Sequence, residues 1–190
     1  MALGLDVDDV LFNFLMNLLP DNKLVNTRVR PFIAGILGMN CGTGCEIRKN
    51  IYFEGHRRIV LGNDVALNRQ SYFDAGDGLC IGNNVKFGPQ ALLMAGSHEI
   101  GPQHQRLGGV LSKRIRIEDG CWICARVTIT AGVTIGTGSV VAAGSVVQRS
   151  MPANCLIGGN PARAVEVLEK SKGDPRQRLR GIDSVSLTAI

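Results

Sequence analysis

From residue 41 onward, large apolar residues return at every sixth position. Cys41, Ile47 and Phe53 form a first trio, Leu61, Leu67 and Phe73 a second, and Ile81, Phe87 and Leu93 a third; after a break come Ile117, Ile123 and Ile129, then Ile135, Val141 and Val147. A helix repeats its apolar stripe every 3.6 residues and a strand every second residue, so neither alone sustains a period of six. A triangular coil does, with three short strands, one inward apolar side chain from each, and three tight corners. Between the first three trios the step is eight, at Phe53 to Leu61 and at Phe73 to Ile81, which places a two-residue insertion at one and the same corner of successive coils.

Small or β-branched residues stand four places after the apolar one, at Val65, Val85, Ala91, Val127, Val133, Ser139 and Ser145, and fill the space beside the corners. Gly62, Gly82, Gly88 and Gly136 follow the apolar residue directly, and the pattern predicts Gly or Asn at corners that take positive φ. A single coil cannot bury its inward side chains; coils stacked at about 4.8 Å bury one another. The predicted architecture is an all-β solenoid, a parallel β-helix of about five triangular coils over 41–160. Residues 1–40 form a lead-in with a short helix, and 161–190 a C-terminal segment and tail.

Residues 99–116 (EIGPQHQRLGGVLSKRIR) break the count and carry Gly101, Pro102, Gly108 and Gly109, so they read as a loop thrown out of one corner. Long loops on a rigid scaffold usually carry function. His98 stands directly before it and is the first candidate for chemistry.

At the start, Val10–Leu19 (VLFNFLMNLL) falls short of the roughly 20 apolar residues that span a bilayer. It is interrupted by Asn13 and Asn17 and follows Asp6, Asp8 and Asp9. It predicts a short amphipathic helix capped by Asp8 or Asp9, ending near Pro20 and packed over one end of the stack, with interfacial membrane contact as the alternative. At the far end, ARAVEVLEK after Pro161 is expected to pack along the outside, and the tail 171–190 to be a mobile or subunit-docking extension.

Composition narrows the function classes. The chain has 190 residues, 45% apolar and 19% charged, which suits one globular unit. A net charge of +5 with scattered Lys and Arg and only 5% aromatics argues against a nucleic-acid partner. Six cysteines (41, 45, 80, 121, 124, 155) without a signal peptide fit a reducing, cytoplasmic compartment. Cys121 and Cys124 spell C-x-x-C, but no second pair follows and both occupy repeat positions, so no metal is expected there.

The words LLMAGSHEI (92–100), DGCWICARVTITAGVTIGTGSVVAAGSVV (119–147) and GGNPARAV (158–165) resemble the hexapeptide-repeat acyltransferases. The likeness is to the maltose and galactoside O-acetyltransferases in particular and to acetyltransferases of exopolysaccharide synthesis, and covers about 41–168. It implies a left-handed β-helix, a homotrimer, and acyl-CoA bound in a groove between subunits, with acetyl-CoA as donor substrate. It implies His98 as catalytic base, Trp122 beside the pantetheine arm, a backbone donor at Ala125 for the thioester carbonyl and a further pantetheine contact at Ala143. Gln148, Arg149 and Arg163 match contacts near the adenosine phosphates, and Asn68 an acceptor-binding asparagine; Asp74 is a further acceptor-side candidate, but with Tyr72 and Asp77 it departs from the family's pattern. Ala125 stands where sugar acetyltransferases tend to have Ser, and Glu166 where some members have a basic residue.

The expected activity is transfer of acetyl from acetyl-CoA to a hydroxyl of a sugar or sugar-containing acceptor. Alternatives are N-acetylation of an amino sugar and a non-catalytic β-helix scaffold. Carbonic anhydrase-like members of the fold bind zinc through three histidines, and this chain has three, His56, His98 and His104. His56 lies two coils before His98, roughly 10 Å along the axis, too far for bonds of about 2.1 Å to one metal within a chain.

Overall fold

The computed structural model describes residues 7–168; the tail 171–190 lies outside them. The period of six builds three parallel sheets, the faces of a triangular prism. Face A stacks Asn40–Cys41, Ile59–Leu61, Leu79–Ile81, Ile115–Ile117 and Thr134–Ile135. Face B stacks Glu46–Ile47, Ala66–Leu67, Lys86–Phe87, Trp122–Ile123, Val140–Val141 and Cys155–Gly159. Face C stacks Tyr52–Glu54, Tyr72–Asp74, Leu92–Met94, Thr128–Thr130 and Val146–Val147.

Register is set by the apolar residues. On face C, Phe53 lies on Phe73, Phe73 on Leu93, Leu93 on Ile129 and Ile129 on Val147. Phe53 and Phe73 stack with ring centroids 5.7 Å apart. A one-residue slip would turn this whole column to solvent, so burial of about 1.5–3 kcal/mol per large side chain fixes the pairing. The stack has about six turns rather than five: Met151 bridges to Ile135 on face A and Ile157 pairs with Val141 on face B. The step from Val147 to Met151 is four instead of six, so the last turn drops out of the sequence period.

Positive φ falls one residue before the small inward side chain, at Asp64, Asn84, Gln90, Arg126, Gly132, Gly138 and Gly144. The glycines that directly follow the apolar residue have a different role. At Gly88 a Cβ would stand 2.5 Å from the backbone nitrogen of Ala125 in the next coil, and at Gly136 2.4 Å from that of Ala153. They are glycine because the coils approach closely there, not because φ is positive.

The corner from face C to face A takes the insertions, and in the third coil it extrudes residues 96–112. The predicted loop is in fact a β-hairpin: Gly96–Ile100 pairs antiparallel with Leu107–Ser112. Its own cross-strand hydrogen bonds satisfy the backbone, which a structureless loop would leave to water.

A stack of open coils ends in unpaired backbone, and the N-terminal segment covers it. Helix α1 (Val7–Leu18) lies along the edge of Tyr52–Glu54, with Asp9, Asn13 and Asn17 one turn apart. Asn13 accepts from the Phe53 N–H (2.8 Å) and donates to its carbonyl (2.7 Å). Asn17 accepts from Asn50 N–H (2.7 Å) and donates to Ile51 O (3.0 Å). Asp9 accepts from the N–H groups of Gly55 (2.6 Å) and His56 (3.2 Å). One helix face thus supplies the hydrogen bonds of a missing strand, while Phe12 and Met16 fill the open core. A π-helical turn (Val25–Val29) leads into α2 (Arg30–Ile36). Arg30, wholly buried, donates to the carbonyls of Met16 (2.8 Å), Leu19 (2.8 Å) and Pro20 (3.2 Å) and so closes the C-terminus of α1. At the opposite end Ala162–Val167 turns back antiparallel along Cys155–Gly159 and covers the edge of face B.

Two outcomes follow from the N-terminal cap. Asn13→Leu strands a buried N–H and C=O at Phe53 and is expected to lower unfolding stability by about 2–4 kcal/mol in denaturant titration. Burial pushes the Asp9 carboxyl up, but the hydrogen bonds from Gly55 and His56 outweigh this and hold it below its ordinary value. Its contribution is therefore present above about pH 4 and lost as pH falls further, so the stability gap between the native protein and Asp9→Asn is expected to shrink between about pH 5 and pH 3.

Candidate active site at two corners

His98 leaves the third coil on the first strand of the hairpin, opposite Val110. Its Nδ1 donates to the carbonyl of Gly108 on the facing strand (3.2 Å), which fixes the tautomer and leaves the Nε2 lone pair unclaimed. A main-chain carbonyl thus holds the ring. The half-buried imidazole lines a cleft of about 310 Å³ together with Glu54, Arg58, Asp74, Ser97 and Ser112.

The C-to-A corner assembles this cleft from three coils. Glu54 and Asp74 are in register on face C, so two carboxylates stack one strand spacing apart beneath the hairpin. Asp74 accepts from Gly76 N–H (2.7 Å) and Gly96 N–H (3.0 Å), which pins it at the hairpin's base. Tyr72 donates its hydroxyl to Glu54 and stacks on Tyr52 at 5.3 Å. Burial and the adjacent Glu54 carboxylate both push the Tyr72 hydroxyl pKa up, so it stays a donor. Asp77 offers its carbonyl to Arg114 (3.4 Å) farther along the same corner. The involvement of Glu54, Arg58, Ser97 and Ser112 was not anticipated, although the 20-residue spacing of Glu54 and Asp74 was there to be read.

The residues matched to the acyl donor lie elsewhere. Trp122 points outward from face B and is 43% exposed, paired with Lys86 and Val140. Ala125 and Ala143 follow at the corner from B to C on adjacent coils, linked by the bond from Gly144 N–H to Ala125 O (2.9 Å). Neither the Ala125 nor the Ala143 N–H has an acceptor among the described residues. Asn68 sits at the same B-to-C corner, its side chain accepting from Arg69 N–H (2.9 Å). Arg163 is on the returning strand of face B, opposite Gly158. Gln148 and Arg149 are exposed on the C-to-A corner, beyond the hairpin. One chain therefore brings His98 and Asp74 together, and separately groups Trp122, Ala125, Ala143, Asn68 and Arg163 around face B. The two groups do not meet within a protomer.

The other histidines stand apart. His56 is buried, stacked on Phe12 at 4.1 Å, with Nδ1 bonded to Asp9 and Nε2 facing Leu37 O (3.0 Å), so neither ring nitrogen is turned towards a metal. His104 lies at the tip of the hairpin. Among the described residues no three His, Cys, Asp or Glu side chains stand close enough to hold a metal ion. All six cysteines are free, and burial pushes the Cys121 and Cys124 thiols up.

Comparison with known proteins agrees with the repeat. Residues 114–149 match the family model described as bacterial transferase hexapeptide (six repeats). A hexapeptide-repeat-containing acetyltransferase from Vibrio cholerae is similar at 28% identity over 86% of this chain and 90% of that one, with a TM-score of 0.73. Its structure with acetyl coenzyme A gives 26% identity over 86% and 87% and a TM-score of 0.55. A maltose O-acetyltransferase from Clostridium difficile 630 gives 27% identity over 85% and 84%, TM-score 0.58. In repeat, register and overall structure, this chain is similar to the hexapeptide-repeat acetyltransferases, as its residues implied.

Proposed function

We propose that this protein is an acetyl-CoA-dependent acetyltransferase acting on a hydroxyl of a sugar or sugar-containing acceptor, as a homotrimer whose sites lie between subunits. The observation that carries the reading is His98, its tautomer fixed by Gly108 O and its free Nε2 opening into a polar cleft. A thioester is already activated, so the enzyme has mainly to deprotonate the acceptor and hold both reactants in place. The acceptor oxygen attacks the thioester carbon as Nε2 of His98 takes its proton. The Ala125 N–H of the partner subunit stabilises the oxyanion, and collapse expels the thiolate of coenzyme A, which recovers the proton from His98.

The division of the site between two corners supports the shared arrangement. The unclaimed N–H groups of Ala125 and Ala143 suit the amides and carbonyls of a pantetheine arm, and Trp122 gives it an apolar wall. Gln148, Arg149 and Arg163 stand for the phosphates. The acceptor rests against Asp74 and Glu54, carboxylates that accept from sugar hydroxyls, with Asn68 reaching the acceptor from the partner's corner. The similarity to an acetyltransferase that binds acetyl coenzyme A and to a maltose O-acetyltransferase supports this choice of donor and acceptor classes. Six free thiols suit a cytoplasmic setting. No helix among the described residues is long and apolar enough to cross a membrane.

His98→Ala is expected to lose acceptor-dependent thiol release from acetyl-CoA by about a hundredfold or more, with acetyl-CoA binding retained. Unchanged turnover would remove His98 from the chemistry, and absence of acetyl-CoA binding in the native protein would favour a scaffold. Mixing His98→Ala with Ala143→Arg, each inactive alone, is expected to restore activity after subunit exchange, because mixed trimers contain an intact His98 facing an intact donor groove. Mixed trimers that remain inactive would place the whole site in one chain.

A further inference from the structure

Helix α1 carries apolar side chains on both faces: Phe12 and Met16 inward, and a second set outward. Its polar side chains Asp9, Asn13 and Asn17 face the protein, where the coil edge needs their hydrogen bonds. Its large apolar side chains Val7, Val10, Leu11, Phe14 and Leu18 face solvent, between 47% and 78% exposed. At 100° per residue these five fall within an arc of about 100°, opposite the face that holds Asp9, Phe12, Asn13 and Met16. Leu24 of the linking segment and Phe32 and Ile36 of α2 are exposed to a similar degree at the same end of the solenoid. An apolar surface of this extent marks an interaction site.

The charges beside it select the partner. Asp8 is paired with Arg57 (2.9 Å), and Asp21 with Arg69 (2.6 Å) and Asn26 (2.7 Å). Lys23 and Arg28 are exposed, with no carboxylate within ion-pair distance of either side chain among the described residues. Arg28 lines a groove with the exposed Phe32 and Ile36, and Lys23 adjoins the exposed Leu24, so the apolar surface of this pole carries cations at its α2 side; that combination complements anionic headgroups over acyl chains, whereas a second copy of the same face would bring like charges together. We propose that the N-terminal pole, through the apolar arc of α1 with Lys23 and Arg28, docks this protein on an anionic lipid surface.

Two consequences strengthen the arrangement. The arc points away from the stack, so docking leaves the three faces free. Glu54 and Arg58, which begin the His98 cleft, belong to the turn that α1 clasps through Asp9; on the transferase reading, to which this clause alone is tied, the cleft opens next to the membrane and suits an acceptor borne on a lipid.

The test is co-sedimentation of the full chain with vesicles of phosphatidylcholine alone and with roughly one-third phosphatidylglycerol, at low and high salt. Binding to the anionic vesicles is expected, weakened by salt. Leu11→Ser with Phe14→Glu, both at exposed positions, is expected to lower partitioning at least about tenfold with the melting temperature retained. Lys23→Gln with Arg28→Gln is expected to lower it about fivefold for each charge removed, on anionic vesicles only. Native protein that stays in solution with every vesicle, or binding that the Leu11/Phe14 variant retains, overturns the proposal. So does a native mass by light scattering that falls in that variant, which would give the face to a second copy. None of these results bears on acetyl-CoA turnover, which is measured without vesicles.

Discussion

A parallel stack of strands cannot end in water without cost, because its last strand presents a row of unpaired N–H and C=O groups. Much of this molecule answers that constraint. At one end the returning strand Ala162–Val167 completes face B. At the other, a helix imitates a strand: the carboxylate and amide groups of Asp9, Asn13 and Asn17 meet the backbone of residues 50–56 as donors and acceptors. A helix can do this because residues four apart rise by about 6 Å, close to the two-residue repeat of a strand. The cap then needs its own support, which Arg30 gives by gathering three carbonyls from the end of α1.

The face of α1 turned to the coil edge holds Asn13 together with Phe12 and Met16, yet the opposite face is also apolar, with Leu11, Phe14 and Leu18 exposed. The corners of a rigid prism cannot close on each other, so the His98 hairpin at the C-to-A corner and the Ala125 and Ala143 corner stay apart within one chain, the separation on which the proposed sharing of the site between subunits rests.

The coil architecture was legible because each inward position obeys one rule, burial of a single large side chain, and Ile47, Leu67 and Phe87 keep that rule whatever else varies. Where the rule lapsed, the reading lapsed with it: the shortened step to Met151 concealed the last turn. The hairpin read as a loop because Gly101, Pro102 and Gly108 signal turns, while cross-strand pairing of His98 with Val110 leaves no local mark. Asn13 and Asn17 looked like interruptions of an apolar run because their partners lie 40 and 34 residues away. At the site, His98 stood out by position, but the carbonyl that holds it belongs to the opposite strand and could not be named from its neighbours. Glu54 reached the cleft only through stacking on Asp74.

The separation between Asn13 and Phe53 also orders events in biosynthesis. On the ribosome α1 emerges first, and the strand edge that it covers follows 40 residues later. Each later coil needs only the coil before it, 20 residues back in the first three coils and 36 across the hairpin, so once residues 50–56 have met α1 the prism can lengthen one coil at a time towards the C-terminus. The cap is thus a starting template for the nascent chain as well as a cover for the finished one.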